Sequence, residues 1–108
     1  MIDEIVAAPG AGRALLDDYL ARYAPGARAR GMVLEQVLVA PPVWLDDQSN
    51  TLTIRWSLAN AGAWWGMRAV SGADSAVAAW WAEVDARAIS RRRSFATAPE
   101  AIVRLCDV

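Results

Sequence analysis

Residues 51–68 of the chain are TLTIRWSLANAGAWWGMR. In the first part of this stretch, Leu52, Ile54 and Trp56 alternate with polar residues, and the period of two predicts a strand with one buried face. Asn60 follows as a suitable N-cap for a helix. A strand that passes into a helix through a capping asparagine therefore defines the middle of the predicted fold.

The elements on either side follow from the same periodicities. The first helix is expected to end at Pro25-Gly26 and the second helical stretch to break at Ser71-Gly72. Arg91–Arg93 are expected just after that stretch, where cations complement the helix dipole. The apolar stripe of the second stretch consists of Val77, Trp80, Trp81, Val84 and Ala88. The predicted strands are Ile2–Ala7, Met32–Ala40, Thr51–Ala59 and Ser94–Thr97, the first helix is Ala11–Ala24, and a fifth strand or arm is Ile102–Leu105.

The order of these elements is β-α-β-β-α-β over one domain, residues 1–108. It predicts the α+β class and a ferredoxin-like sandwich, with a four-stranded antiparallel sheet and both helices on one face. The other face of the sheet then lacks a cover. Because 56% of the residues are hydrophobic, a second copy of the same sheet is the simplest cover, and a homodimer is expected.

Composition and charge argue against several classes of function. The net charge of −1 gives no general attraction to nucleic acid, and no nucleic-acid motif accompanies the arginine cluster. No apolar run is long enough to cross a bilayer, and acidic residues stand where a signal peptide needs basic ones. With Cys106 as the single cysteine, we expect a cytoplasmic protein without a nucleic-acid or membrane partner. The lack of histidine makes a bound metal unexpected.

Three features of the sequence carry a resemblance to known proteins. They are the Pro9-Gly10 break before a helix with Tyr19 and Tyr23, the hairpin, and the aromatic, interrupted second helix that starts at Asn60. In these features the chain resembles the dimeric α+β-barrel superfamily, which contains antibiotic-biosynthesis monooxygenases and muconolactone-isomerase-like, EthD-like and NIPSNAP-like proteins. The resemblance implies a homodimeric α+β barrel with stacked sheets, and a pocket in each monomer between its sheet and its helices.

The resemblance also implies a catalytic site. In the cofactor-free anthrone-oxygenase type, an asparagine and a tryptophan one turn apart follow the third strand, and Asn60 and Trp64 match that spacing. An arginine late in the second helix has a counterpart in Arg87. The family's tyrosine has none, because Val70 and Ser71 occupy that region. The haem-degrading branch needs an axial histidine, which this chain lacks. The candidate catalytic residues are thus Asn60, Trp64 and Arg87, with no cofactor and no metal.

Other aromatic and basic side chains are candidates for the walls of the pocket. An amide, an indole N–H and a guanidinium can together hold a phenol or carbonyl oxygen and stabilise an oxyanion in an apolar pocket. The candidate ligand-binding residues are Trp65, Arg68, Trp81, Tyr19 and Trp56. These residues also fit a simpler scheme of a capping asparagine, core aromatic rings and surface arginines.

Two functions therefore stay open. The first is a cofactor-free monooxygenase or isomerase that acts on a small aromatic or polyketide-like molecule. The alternative is a non-catalytic ligand-binding or accessory protein with the same fold. A closed interior filled with tryptophan would favour the second function. An open cavity in which Asn60, Trp64 and an arginine converge would favour the first.

Overall fold

The computed structural model describes residues 1–102, apart from the side chains of Ala61 and Ala101. The strands are β1 (Ile2–Ala7), β2 (Val33–Ala40), β3 (Thr51–Ser57) and β4 (Ala88–Ser94). The helices are α1 (Gly12–Asp18), α2 (Ala24–Ala29), α3 (Ala61–Ala73) and α4 (Ser75–Arg87). A π-helical segment, Tyr19–Tyr23, joins α1 to α2, and a 3-10 turn spans Pro99–Ala101.

The four strands form one antiparallel sheet in the order β2-β3-β1-β4. β2 and β3 make the predicted hairpin, and β1 lies between β3 and β4. This order of strands, combined with the order of helices along the chain, is that of the ferredoxin-like fold. The predicted α+β class and four-stranded antiparallel sheet are confirmed. The second copy expected on the outer face of the sheet stays a prediction.

One face of the sheet is buried beneath the helices. On β3, Leu52, Ile54 and Trp56 are at most 1% exposed, which confirms the alternation in the sequence. Ile5 and Ala7 on β1 face the same side and are also buried. Buried side chains of the π-helical segment and of all four helices, together with Met1 and Met32, complete the core.

The first helical region is longer than the sequence indicates. The prediction that Pro25-Gly26 ends it is wrong, because the helical backbone continues through α2. Within Tyr19–Tyr23 the hydrogen bonding shifts, and the N–H of Ala24 donates to the carbonyl of Tyr19, five residues back. This wider turn directly precedes the proline, whose ring would otherwise crowd the carbonyl four residues before it. The proline is therefore accommodated inside the helical region.

The fourth strand is Ala88–Ser94, so the prediction of Ser94–Thr97 is wrong in position. Arg91–Arg93 follow the end of α4, as expected, but they lie within this strand. In the register of β1 and β4, Arg93 is opposite Asp3. Because side chains of a strand alternate between its two faces, Arg91 and Arg93 both point toward the helices. There Arg91 bonds to Asp85 and Arg93 bonds to Asp3. Contacts between distant parts of the chain thus decide the strand position.

Two capped helices form the second helical stretch. The side chain of Asn60 accepts a hydrogen bond of 2.8 Å from the backbone N–H three residues later, so it is the predicted N-cap of α3. The break falls at Asp74, whose side chain caps α4, and not at Ser71-Gly72. Trp80 is buried, as predicted, whereas Ala88 starts β4 and leaves the apolar stripe of the helix.

The expected fifth strand or arm lies mostly outside the described residues, which end before position 103. Its first residue, Ile102, is the C-cap of the 3-10 turn and has helical backbone angles. Within residues 1–102, no helix is both long enough and apolar enough to cross a membrane.

Candidate functional site

A buried ion pair joins β1 to β4 on the helix-facing side of the sheet. Asp3 is only 2% exposed. Arg93 donates from Nε to its Oδ1 at 2.7 Å and from Nη2 to its Oδ2 at 2.9 Å, and two such parallel hydrogen bonds fix the guanidinium in one orientation. Burial opposes the charge of Arg93, but the hydrogen bond and the charge of Asp3 outweigh it and raise the pKa of Arg93.

Two tyrosines extend the ion pair into a network. The hydroxyl of Tyr19 donates to Oδ2 of Asp3 at 2.9 Å and accepts from Nε1 of Trp56 at 2.7 Å. The hydroxyl of Tyr23 accepts from Nη2 of Arg93 at 3.0 Å. Burial is the largest cause that raises the pKa of Tyr19, and the charge of Asp3 raises it further. Tyr19 is therefore a neutral hydroxyl that both donates and accepts within the core.

Five aromatic rings enclose this network. We call them the core aromatic cluster: Tyr19, Tyr23, Trp56, Trp80 and Trp81. The centroids of the two tyrosine rings are 4.9 Å apart, and Trp81 lies edge-on to Tyr23 at 5.2 Å. Arg91 and Arg93 each stand 4.8 Å from the centroid of Trp81, a distance typical of cation–π contacts. The cluster fills the helix-facing side of the sheet with packed rings.

The arrangement offers stability more than reactivity. Tyr19 and Asp3 are the hydroxyl and carboxylate that could pass a proton, but the carboxylate also receives two hydrogen bonds from Arg93. Both of its oxygens are thus already occupied by hydrogen bonds from Arg93 and Tyr19. Within residues 1–102, no three side chains of histidine, cysteine, aspartate or glutamate are grouped to hold a metal ion.

Three of the predicted ligand-binding residues belong to the core aromatic cluster. They are Tyr19, Trp56 and Trp81, and the structure does bring them together. Tyr19 and Trp56 are fully buried and bond to each other, whereas Trp81 keeps part of its surface exposed. They meet as neighbours in a packed core.

The sequence interpretation missed the ion pair at the centre of the network. The position of Asp3 could have indicated it. Asp3, Ile5 and Ala7 alternate with exposed or partly exposed residues along β1, so they lie on the same, buried face of the strand. A carboxylate on such a face requires a buried partner. The identity of that partner, Arg93, depends on the pairing of β1 with β4.

A second aromatic group involves α3. We call it the α3 aromatic patch: Trp64, Trp65, Arg68 and Phe95. The ring of Trp64 meets Trp65 at 4.3 Å and Phe95 at 5.4 Å. The guanidinium of Arg68 stands 5.3 Å from the ring centroid of Trp64. Trp65 is 53% exposed. Within the described part of the chain, Nε1 of Trp64 is buried without a hydrogen-bond partner, and Arg68 forms no ion pair.

The three candidate catalytic residues lie in different surroundings. The side chain of Asn60 caps α3, and Trp64 belongs to the α3 aromatic patch one turn later. Arg87, at the end of α4, donates from Nη1 to Oδ2 of Asp18 on α1 at 2.6 Å. Asn60 and Trp64 are thus close along one helix, whereas the guanidinium of Arg87 is engaged by a carboxylate of another.

A solved structure has the same fold. The chain is similar to an uncharacterized NIPSNAP domain protein from Burkholderia xenovorans, with a TM-score of 0.58 and 14% sequence identity, over 92% of this chain and 96% of that chain. At this identity the likeness shows the fold alone, and it confirms the NIPSNAP-like resemblance at that level. No family model matches the chain, and no curated protein matches its sequence.

Proposed function

We propose that this protein is a non-catalytic ligand-binding or accessory protein that acts as a homodimer. The observation that carries this proposal is the filled space between the sheet and the helices. The core aromatic cluster occupies it, and the polar groups of Tyr19, Trp56 and Arg93 are directed at one another and at Asp3. A substrate in this space would have to displace buried rings, at the cost of their apolar burial.

The outer face of the sheet supports the homodimer. On β2, Val33 and Leu38 are 57% and 50% exposed. Apolar residues on an open sheet face are ordinarily covered by a second layer. A second copy stacked on this face would remove both side chains from water and would pair equivalent surfaces, as a two-fold dimer requires.

The α3 aromatic patch supports the binding of a small aromatic molecule. Trp65 exposes a large apolar surface, and Arg68, which stands over the neighbouring ring of Trp64, supplies an unpaired cation among the described residues. An aromatic ring could stack on the indole while an anionic or carbonyl oxygen accepts from the guanidinium. The candidate ligand is therefore planar and carries an oxygen acceptor.

The second candidate function is a cofactor-free monooxygenase or isomerase that acts on a small aromatic or polyketide-like molecule. One observation favours it: within the described residues, Nε1 of Trp64 is buried without a hydrogen-bond partner, and the guanidinium of Arg68 stands over the same ring without an ion pair. A substrate that readily loses a proton to give a delocalised anion would need such donors more than a strong base.

One experiment separates the two functions. Anthrone serves as the probe, and its binding is measured by anaerobic calorimetry while its oxidation is followed by oxygen uptake in air. We expect binding without acceleration of oxygen uptake over buffer, and Trp65→Ala should weaken the binding. Ile89→Ala, which truncates an exposed apolar residue on β4, is the matched control and should bind normally.

Acceleration of oxygen uptake that Trp64→Phe or Arg68→Gln removes would overturn the non-catalytic proposal in favour of the enzyme. The dimer is tested separately by light scattering, which should give twice the chain mass of 11.7 kDa. A light-scattering mass of a single chain, from protein whose circular dichroism spectrum is that of a folded protein, would contradict the homodimer.

A further inference from the structure

A long, ordered loop lies at the opposite end of β3 from α3. Residues 41–50 connect β2 to β3, whereas ordinary hairpins use about two to five residues. Asn50 organises this loop, and its side chain is buried. Its Oδ1 accepts from the N–H of Leu45 at 3.0 Å, and its Nδ2 donates to the carbonyl of Val43 at 2.8 Å. The backbone on both sides of Trp44 is thereby fixed.

The same loop is fastened to the start of the first helical region. The N–H of Gly10 donates to the carbonyl of Gln48 at 3.1 Å. Gly10 has a φ of +77°, and a Cβ there would collide with the carbonyl oxygen of Asp46. A side chain at Gly12 would meet Cβ of Asn50 at 2.9 Å. These close approaches hold the loop and the start of α1 at a fixed distance from each other, so that they can form two walls of a cavity.

A cavity of about 370 Å³ opens between these walls. Its polar lining comes from Arg13 and Asp17 on α1 and from Asp46 on the loop, and Trp44 and Leu45 supply apolar surface. Trp44 also lines a second depression of about 300 Å³, together with Val39, Pro42 and Val43. Trp44 is therefore shared by a charged hollow and an apolar one.

The three charged side chains of this hollow are exposed to solvent. Arg13 and Asp17 are one helical turn apart, a spacing at which oppositely charged side chains can pair. They form no ion pair with each other, and Asp46 forms none either. The ring of Trp44, which is half-buried, takes part in no aromatic or cation–π contact among residues 1–102.

We propose that this hollow, which we call the Trp44 site, binds a small amphipathic zwitterion of the amino-acid type. An ammonium group would sit between the carboxylates of Asp17 and Asp46, and a carboxylate would accept from the guanidinium of Arg13. The apolar part of the ligand would rest on Trp44 and extend toward the neighbouring apolar depression. Two carboxylates and one guanidinium leave the site with one excess negative charge, so it should favour ligands that carry an ammonium.

The charge requirement gives a direct test with three probes of nearly equal size. L-phenylalanine is the zwitterion, L-phenylalaninamide keeps only the ammonium, and N-acetyl-L-phenylalanine keeps only the carboxylate. Each is titrated to millimolar concentration while the indole N–H resonance of Trp44 is followed by NMR. We expect the zwitterion to bind most tightly, the amide more weakly, and the acetylated acid not at all.

Charge-removing variants locate the site. Asp46→Asn and Asp17→Asn should each weaken binding of L-phenylalanine by about fivefold, because the pairs are partly solvated. Asp47→Asn removes the adjacent exposed carboxylate, which does not line the hollow, and should leave the affinity unchanged. Equal binding of the acetylated acid, an equal loss in Asp47→Asn, or no shift of the Trp44 resonance with any probe would overturn the proposal. Trp65→Ala, in the α3 aromatic patch, should have no effect here.

Discussion

Replacement of Tyr19 by phenylalanine tests the buried network most directly. The change keeps the ring but removes the donor to Asp3 and the acceptor of the Trp56 N–H. A hydrogen bond to a charged group contributes about 1.5–3 kcal/mol, and a buried donor left without a partner costs about 1–3 kcal/mol. Since Asp3 keeps both bonds from Arg93, the two losses do not add fully, and we expect a loss of about 2–4 kcal/mol.

This loss is a large share of the roughly 5–15 kcal/mol that stabilises a typical domain. Urea unfolding followed by circular dichroism measures it, at one fixed protein concentration because dimerisation would couple to unfolding. Tyr23→Phe is the matched control, since it removes only an acceptor of Arg93, and it should cost about 1 kcal/mol. If Tyr19→Phe were no more destabilising than Tyr23→Phe, the reasoning about the network would be refuted.

Further predictions concern four single positions in the chain. Because the folded-state pKa of Tyr19 is raised, the contribution of its protonated hydroxyl to stability is fully present below pH 10.0, the usual tyrosine pKa. This contribution should be lost as the pH rises above that value. Denaturant midpoints measured across this pH range should fall for the natural protein and fall less for Tyr19→Phe. Asn60→Ala removes the cap of α3 and should cost about 1 kcal/mol in urea unfolding. Gly66→Ala meets no atom within 4 Å and should stabilise by about 0.5–1 kcal/mol. Gly12→Ala meets Cβ of Asn50 at 2.9 Å and should destabilise by about 1–3 kcal/mol, as thermal melts of the two variants would register.

The order of strands and helices could be predicted from the sequence because it follows from local residue patterns. The alternation of Leu52, Ile54 and Trp56 predicts β3, and the burial of all three side chains follows from that period. Asn60 is recognisable as a cap because its side chain acts on a backbone group only three residues away. Interactions of this range do not depend on how the rest of the chain folds.

The elements that the sequence predicted wrongly depend on the surrounding structure and not on local patterns. Pro25 is tolerated because the π-helical segment before it widens the backbone, which residue preferences do not reveal. Arg91–Arg93 do follow the end of α4, but they also form part of β4, where Arg93 pairs with Asp3 and both Arg91 and Arg93 contact Trp81 on the helix-facing side. A partner distant in sequence outweighs the local preference in this segment.

By itself, the sequence determined a ferredoxin-like fold, its hairpin, the cap of α3 and a set of aromatic residues that had to meet. Only the tertiary structure decided that Tyr19, Trp56 and Trp81 form a closed core while Trp64 and Trp65 form a separate, partly exposed group. The physical reason is that periodicity assigns a side chain to a face but does not identify what fills the space opposite. That space is filled by the pairing of Asp3 with Arg93, ninety positions apart, and such a pairing exists only once β1 and β4 lie side by side.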